Sequence, residues 1–309
     1  EMAGRETGEE GQRKAADYLK QQFQRIGIAP ANNGNYEQFY PLYKDTLKEA
    51  AVTVNNKSFE FGKDFSAALN NIITTQQFFS EVVYMSKIDT TVDVRGKAVV
   101  LVAKNGTQLP AFNDINKLNS RQPAAILFVV NNVDKTPSPR AGRLSMNLYR
   151  NRQNPLVVRI SEAMGEALLK ADFANAKAQT LETKTVATEL MLHFKKDFDV
   201  TQASNVLGFI EGTDKKEEWV IISAHYDHVG IIGGKIHPGA DDDGSGTVGV
   251  LEVAEAFAKA KAAGKGPRRS ILFLAVSGEE KGLWGSAYYA NNPVYPLEKT
   301  SIDINIDMI

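Results

Sequence analysis

The stretch 217–227, EEWVIISAHYD, decides the fold, because a nearly unbroken apolar run, WVIISA, passes directly into His225, Tyr226 and Asp227. A run without the polar alternation of a half-exposed strand is expected of a central strand covered by helices on both faces. The pattern recurs at 268–280, RRSILFLAVSGEE, where SILFLAV runs into Glu279 and Glu280, and at 301–309, SIDINIDMI, which runs into Asp307. Between these runs lie helical patterns over Gly246 to Ala263 and near Trp284 to Asn291. Such alternation of strand and helix predicts a three-layer α/β domain with a central sheet. In open α/β sheets ligands bind beyond the carboxyl ends of the strands, so the charged residues closing each run should converge on one crevice.

Outward from this region, residues 9–26 place Ala15, Tyr18, Leu19, Gln22, Phe23 and Ile26 at intervals of three and four, with Gly27 as a stop, and predict an amphipathic helix. Pro30, Asn32, Asn33, Gly34 and Asn35 give a loop signature, and the stretch to about residue 75 reads as loop and edge strand, with short alternating runs such as AVTV at 51–54. KAVVLVA (97–103) and AAILFVV (124–130) read as buried strands flanking a helical pattern at Phe112 to Leu118. A Pro/Arg/Asn-rich stretch at 134–155 follows, in which the arginines of 140–152 read as a solvated loop rather than a nucleic-acid patch. PLVVRIS (155–161) and EAMGEALLKA (162–171) add a strand and a helix, and polar residues 172–188 read as a return linker. These segments predict a small α/β domain inserted at 78–190 into a larger domain formed by 1–77 and 191–309.

The 309 residues suffice for two cores, and 43% hydrophobic with 24% charged residues is the composition of a globular protein. With 36 basic against 37 acidic residues there is no overall field that favours nucleic acid or an anionic membrane. The absence of cysteine removes disulfides, thiol nucleophiles and cysteine-rich zinc sites, so any metal must be held by His and carboxylates. No apolar run reaches the length of a membrane span, and the opening Glu1-Met2-Ala3-Gly4-Arg5 has no signal-like apolar region, so a targeting segment is expected to precede it.

Imidazole and carboxylate oxygens suit zinc, and paired zinc ions commonly share a bridging carboxylate. The strand ends offer His225, Glu279, Glu280 and Asp307, and the cluster Asp241-Asp242-Asp243 precedes the helix that starts near Gly246. A complete two-metal set needs one more imidazole. Just past a strand, adjacent Glu279 and Glu280 can both point inward, Glu279 as general base and Glu280 as ligand. Each candidate has a plainer reading. His225 alone could be a satisfied strand-end histidine, Asp227 an ordinary turn residue, and Asp241 and Asp243 capping or loop hydrogen-bonding groups. His228 and His237 read as solvent-facing loop histidines, and Trp284 and Tyr288, four apart, as a helix face packed on the sheet.

Four ordered blocks carry a family likeness: SAHYDHVG, HPGADDDGSGTVGVLEVAEAF, RRSILFLAVSGEEKGLWGSAYY and INIDMI. They resemble the di-zinc aminopeptidases that include bacterial leucyl aminopeptidases and aminopeptidase Y, members of the zinc-exopeptidase clan. The opening GRETGEEGQRKAADYLKQQFQRIGI resembles that family's N-terminal helix, and 78–190 resembles a protease-associated insert. The resemblance implies a three-layer phosphorylase/hydrolase-like zinc-exopeptidase domain with a mixed central sheet, and removal of N-terminal residues from peptide substrates. It also implies an exported, periplasmic or secreted location.

Carried over by position, it implies His225, Asp242 and Asp307 around one zinc, with Asp242 bridging to a second zinc held by Glu280. Glu279 is the implied general base, and Asp227 the group that orients the His225 imidazole. The family supplies the second zinc's histidine far downstream of the NIDM block, so within these residues that site is expected to be incomplete. Two other readings stay open, a glutamate-releasing carboxypeptidase and a receptor-like relative without metals.

Overall fold

The computed structural model describes residues 2–69, 72–133, 141–146 and 155–309. In chain order its principal elements are α1 (Glu10–Arg25), β1 (Glu37–Val54), β2 (Thr75–Tyr84), β3 (Ala98–Val102), α2 (Phe112–Asn119), β4 (Ala125–Val130), β5 (Leu156–Ser161), α3 (Glu162–Leu169), β6 (Lys184–Ile210), β7 (Lys215–His225), α4 (Gly246–Ala262), β8 (Arg269–Val276), α5 (Trp284–Asn291) and β9 (Thr300–Asn305). The chain divides into two compact units, residues 1–42 with 200–309, and residues 43–199.

In the first unit β7 is the hub of a mixed sheet. It pairs in parallel with β8, from Trp219 opposite Ser270 to His225 opposite Val276, and in parallel with β9 on its other edge. The end of β6 lies antiparallel to β8, Val206 opposite Ala275 and Ile210 opposite Ile271. Successive strand residues face opposite sides, and both sides are apolar. One face carries Ile222, Ala224, Ile271, Phe273 and Ala275 against Leu19 and Phe23 of α1 and Val250 and Ala254 of α4. The other carries Trp219, Ile221, Leu272, Leu274 and Val276 against Tyr289 of α5. Helices on both faces make this unit three-layered, as the unbroken apolar runs predict.

The second unit is built around parallel β3, β4 and β5, with β2 parallel to β3 and the start of β6 antiparallel to β2. Val100, Leu127, Val129, Met164 and Leu168 fill one core, and Val99, Leu101, Ile126, Phe128 and Leu118 fill the other.

Two local expectations are corrected. The stretch expected as loop and short edge strand holds an 18-residue strand, β1, in which Gln38, Tyr40, Leu42 and Leu47 are buried. The expected linker at 172–188 ends in β6, whose Val186, Leu190, Leu192 and Phe194 turn inward. In both strands adjacent charged residues, Lys44 with Asp45 and Lys48 with Glu49 in β1 and Lys195 to Asp197 in β6, interrupt the alternation and conceal the period of two. On α5 the fully buried residues are Gly285 and Tyr289, and Trp284 and Tyr288 are only half-buried, with Tyr288 against Tyr40 of β1 at 5.3 Å between ring centroids. Most of the arginine-containing stretch 140–152 lies outside the described residues. Among the described residues no helix is long and apolar enough to cross a membrane.

Candidate metal centre

Because β7, β8 and β9 run parallel, their carboxyl ends share one edge of the sheet, and each delivers an ionisable group there. His225 is the last residue of β7, Glu279 and Glu280 follow β8, and Asp307 follows β9. The ladders extend just past the strand ends, with Tyr226 N donating to Val276 O at 2.9 Å and Ile306 N to Ser223 O at 2.8 Å. Asp242 arrives from the irregular turn Ala240–Ser245 that leads into α4.

Asp243, fully buried, holds this turn to the sheet. Its Oδ1 accepts from Gly246 N at 2.8 Å and Met308 N at 3.2 Å, and its Oδ2 accepts from His225 N at 3.2 Å. One carboxylate thereby ties together the end of β7, the start of α4 and the segment after β9. Burial raises its pKa, and the hydrogen bonds from Met308, Gly246 and His225 pull the other way.

Two donor clusters result. His225, Asp242 and Asp307 form one, and His228, Asp242 and Glu280 the other; within each, the potential ligand atoms lie within 4.8 Å of one another. His225 Nε2 is 3.2 Å from Asp242 Oδ1, 3.8 Å from Asp307 Oδ1 and 3.9 Å from Glu279 Oε2. Its Nδ1 lies 3.2 Å from the carbonyl oxygen of Asp227 and 3.7 Å from Oδ1 of that residue's carboxylate.

His228 was set aside in the sequence as a solvent-facing loop histidine, and here it is corrected. Its Nδ1 is buried and lies 2.7 Å from Glu280 Oε1, yet neither atom has a hydrogen-bond partner. Two buried lone-pair atoms that approach without hydrogen-bond geometry are what co-ligation of one small cation requires. The second donor cluster thus contains an imidazole, that of His228, three residues after His225. Its position depends on a contact remote in sequence, His228 N donating to Arg5 O at 3.3 Å. His237 is exposed, and His193 pairs with Glu49 at 3.1 Å.

The electrostatics match a cation site. Burial opposes protonation of His225, but Asp227, Asp243 and Glu279 outweigh it and hold the imidazole pKa up at about 9. Glu279 is raised above the ordinary carboxyl range by burial, partly opposed by His225, with Glu280, Asp227 and Asp307 adding to the rise. Burial lowers the Arg5 guanidinium, while Asp227, Asp243, Asp242 and Glu280 pull it back up. The imidazole-and-carboxylate donor set and the two unpartnered atoms fit zinc.

Comparison with known proteins places these residues in one recognisable segment. Residues 205–309 match the profile of Peptidase family M28. Aminopeptidase YwaD of Bacillus subtilis is 26% identical over 223 residues, covering 72% of this chain and 41% of YwaD. A probable leucine aminopeptidase 2 of Aspergillus oryzae is 26% identical over 294 residues, covering 95% of this chain and 52% of the relative. The chain thus spans about half the length of these relatives. Among solved structures, the aminopeptidase from Aneurinibacillus sp. strain AM-1 aligns with 98% of this chain and 66% of its own at 20% identity and a TM-score of 0.47. The segment that matches this family, residues 205–309, carries both donor clusters and Glu279.

Proposed function

We propose that this chain carries the metal centre of a zinc-dependent exopeptidase, an aminopeptidase that releases N-terminal residues from peptides. The observation that carries the reading is the pair of imidazole-and-carboxylate clusters sharing Asp242. In it His225, Asp242 and Asp307 hold one zinc, and Asp242, Glu280 and His228 hold a second. Bound zinc supplies polarisation of the scissile carbonyl and a lowered pKa for water. Glu279, with its pKa raised by burial, takes the proton released by the attacking water on its carboxylate and returns it to the leaving amine. Asp227 orients the His225 imidazole through Nδ1.

The relatives named as aminopeptidases favour release from the N-terminus over release of a C-terminal glutamate. The inserted unit serves in this reading as a protease-associated domain, and export to the periplasm or the medium belongs to the same proposal. The test is hydrolysis of aminoacyl p-nitroanilides against a peptide ending in glutamate, with zinc content measured alongside. Activity on the anilide is expected, and Glu279→Gln should lower it by about 10²–10⁴-fold at unchanged zinc content. Cleavage of the glutamate peptide alone, or a fully active Glu279→Gln, overturns the assignment.

A further inference from the structure

The chemistry proposed above makes no use of the four residues 4–7, Gly-Arg-Glu-Thr, yet they touch each loop that leads to a donor except the one at Asp307. Gly4 O accepts from Gly230 N at 3.0 Å, and Arg5 O accepts from His228 N at 3.3 Å. The Arg5 guanidinium donates to three carbonyls, Tyr226 O at 2.7 Å, Gly239 O at 3.0 Å and Pro238 O. Glu6 accepts from Lys281 at 2.7 Å, next to Glu280.

Thr7 is fully buried and works in both directions: its hydroxyl donates to Asp227 Oδ2 at 2.7 Å and accepts from Gly278 N at 3.0 Å. Asp227 closes the ring with its other oxygen, which accepts from Glu279 N at 3.1 Å. The fit admits no side chain at its tightest point. Gly4 has φ +73°, and a Cβ there would lie 2.5 Å from Gly230 O and 2.6 Å from His237 O.

We propose that Gly4–Thr7 is a positioning element of the metal centre, which fixes the turns bearing His228, Asp242 and the Glu279–Glu280 pair in the spacing that a divalent cation needs. The proposal rests on the two-zinc reading. Turn carbonyls at 226 and 238 lie outside the sheet and helix ladders, that of Gly239 also accepts from Gly244 N at 3.1 Å, and Arg5 gathers all three onto one rigid fork. Its permanent positive charge also sits where Asp227, Asp243, Asp242 and Glu280 act on it, so it offsets their mutual repulsion before a cation arrives. Thr7 locks the turn after β7 to the turn after β8, and with it the spacing between the histidine-bearing and glutamate-bearing sides of the site.

The test is zinc affinity, measured by chelator competition on the whole chain, for the wild type, Thr7→Val, Thr7→Ser and Arg5→Lys. Melting in excess EDTA reports folding of each protein separately. Thr7→Val keeps the shape but removes both hydrogen bonds, and Arg5→Lys keeps the charge but removes the fork. Each should weaken zinc binding by about 10–100-fold, whereas Thr7→Ser should stay within about threefold of the wild type. A purely structural role would lower the melting point in EDTA and leave zinc affinity alone. Variants that are folded and bind zinc as the wild type does overturn the positioning role, and Arg5→Lys decides the matter should Thr7→Val not fold. A wild type that binds no zinc overturns the two-zinc reading and this proposal with it.

Discussion

His225, only 4% exposed, is a buried imidazole surrounded by acids, and this makes the metal-free and metal-bound proteins respond oppositely to pH. Burial works against its charge, but Asp227, Asp243 and Glu279 raise its pKa from the ordinary 6.5 to about 9. A pKa raised in the folded state gives stability that is complete below about 6.5 and is lost as pH rises through about 9. With solvent screening discounted, the effect is about 2 kcal/mol. The melting temperature in EDTA should therefore fall between pH 6.5 and 9.5, while zinc affinity rises over the same interval because fewer protons need to be displaced. Melting in EDTA that is flat or rising over that range would contradict the assignment. His225 was legible in the sequence because an apolar run stops at it. His228 was not, because what draws it toward Glu280 is a turn held by Arg5, more than two hundred residues away in the chain.

At the scale of elements, legibility followed burial on both faces. β7 and β8 are apolar at successive positions, so their extent shows directly, and α1, α4 and α5 lie within a residue or so of their predicted spans. β1 and β6 carry the exposed or half-exposed Lys44, Asp45, Lys48, Glu49, Lys195 and Lys196 between their buried residues, and composition alone made them resemble loops. The same contrast predicts stability. Phe273, fully buried on β8 between α1 and α4, should cost about 3–5 kcal/mol when replaced by alanine. Ile304 of β9 is 47% exposed, and its replacement by alanine should change stability by no more than about 0.5 kcal/mol. Urea unfolding of the two variants compares them directly, and equal effects would contradict the layer assignment.

At the scale of the whole molecule, the sequence placed the inserted domain at 78–190, whereas the compact units part at 42/43 and 199/200. Composition shifts where the buried parallel strands begin. The unit boundaries fall inside β1 and β6, which pass through them as continuous strands; Pro41 stands beside the first boundary, and no proline or glycine lies beside the second. The donors other than His228 were readable because each sits at the end of an apolar run or at a loop-to-helix junction; the segment 4–7 was not, since nothing local in Gly-Arg-Glu-Thr announces the loops it meets.

The parallel pairing of β7 with both β8 and β9 also fixes when a cation can act. No two adjacent segments can assemble the His225, Asp242 and Asp307 cluster, since it exists only after strands distant along the chain have zipped together. Such non-local pairing is slow to form, and a ligand to its finished rim binds after the rate-limiting step. Stopped-flow traces should show refolding equally fast with zinc or with EDTA, and unfolding markedly slower with zinc. Acceleration of refolding by zinc would mean that the rim forms before the sheet does. In kinetic terms the ion governs departure from the native state and leaves the route into it untouched.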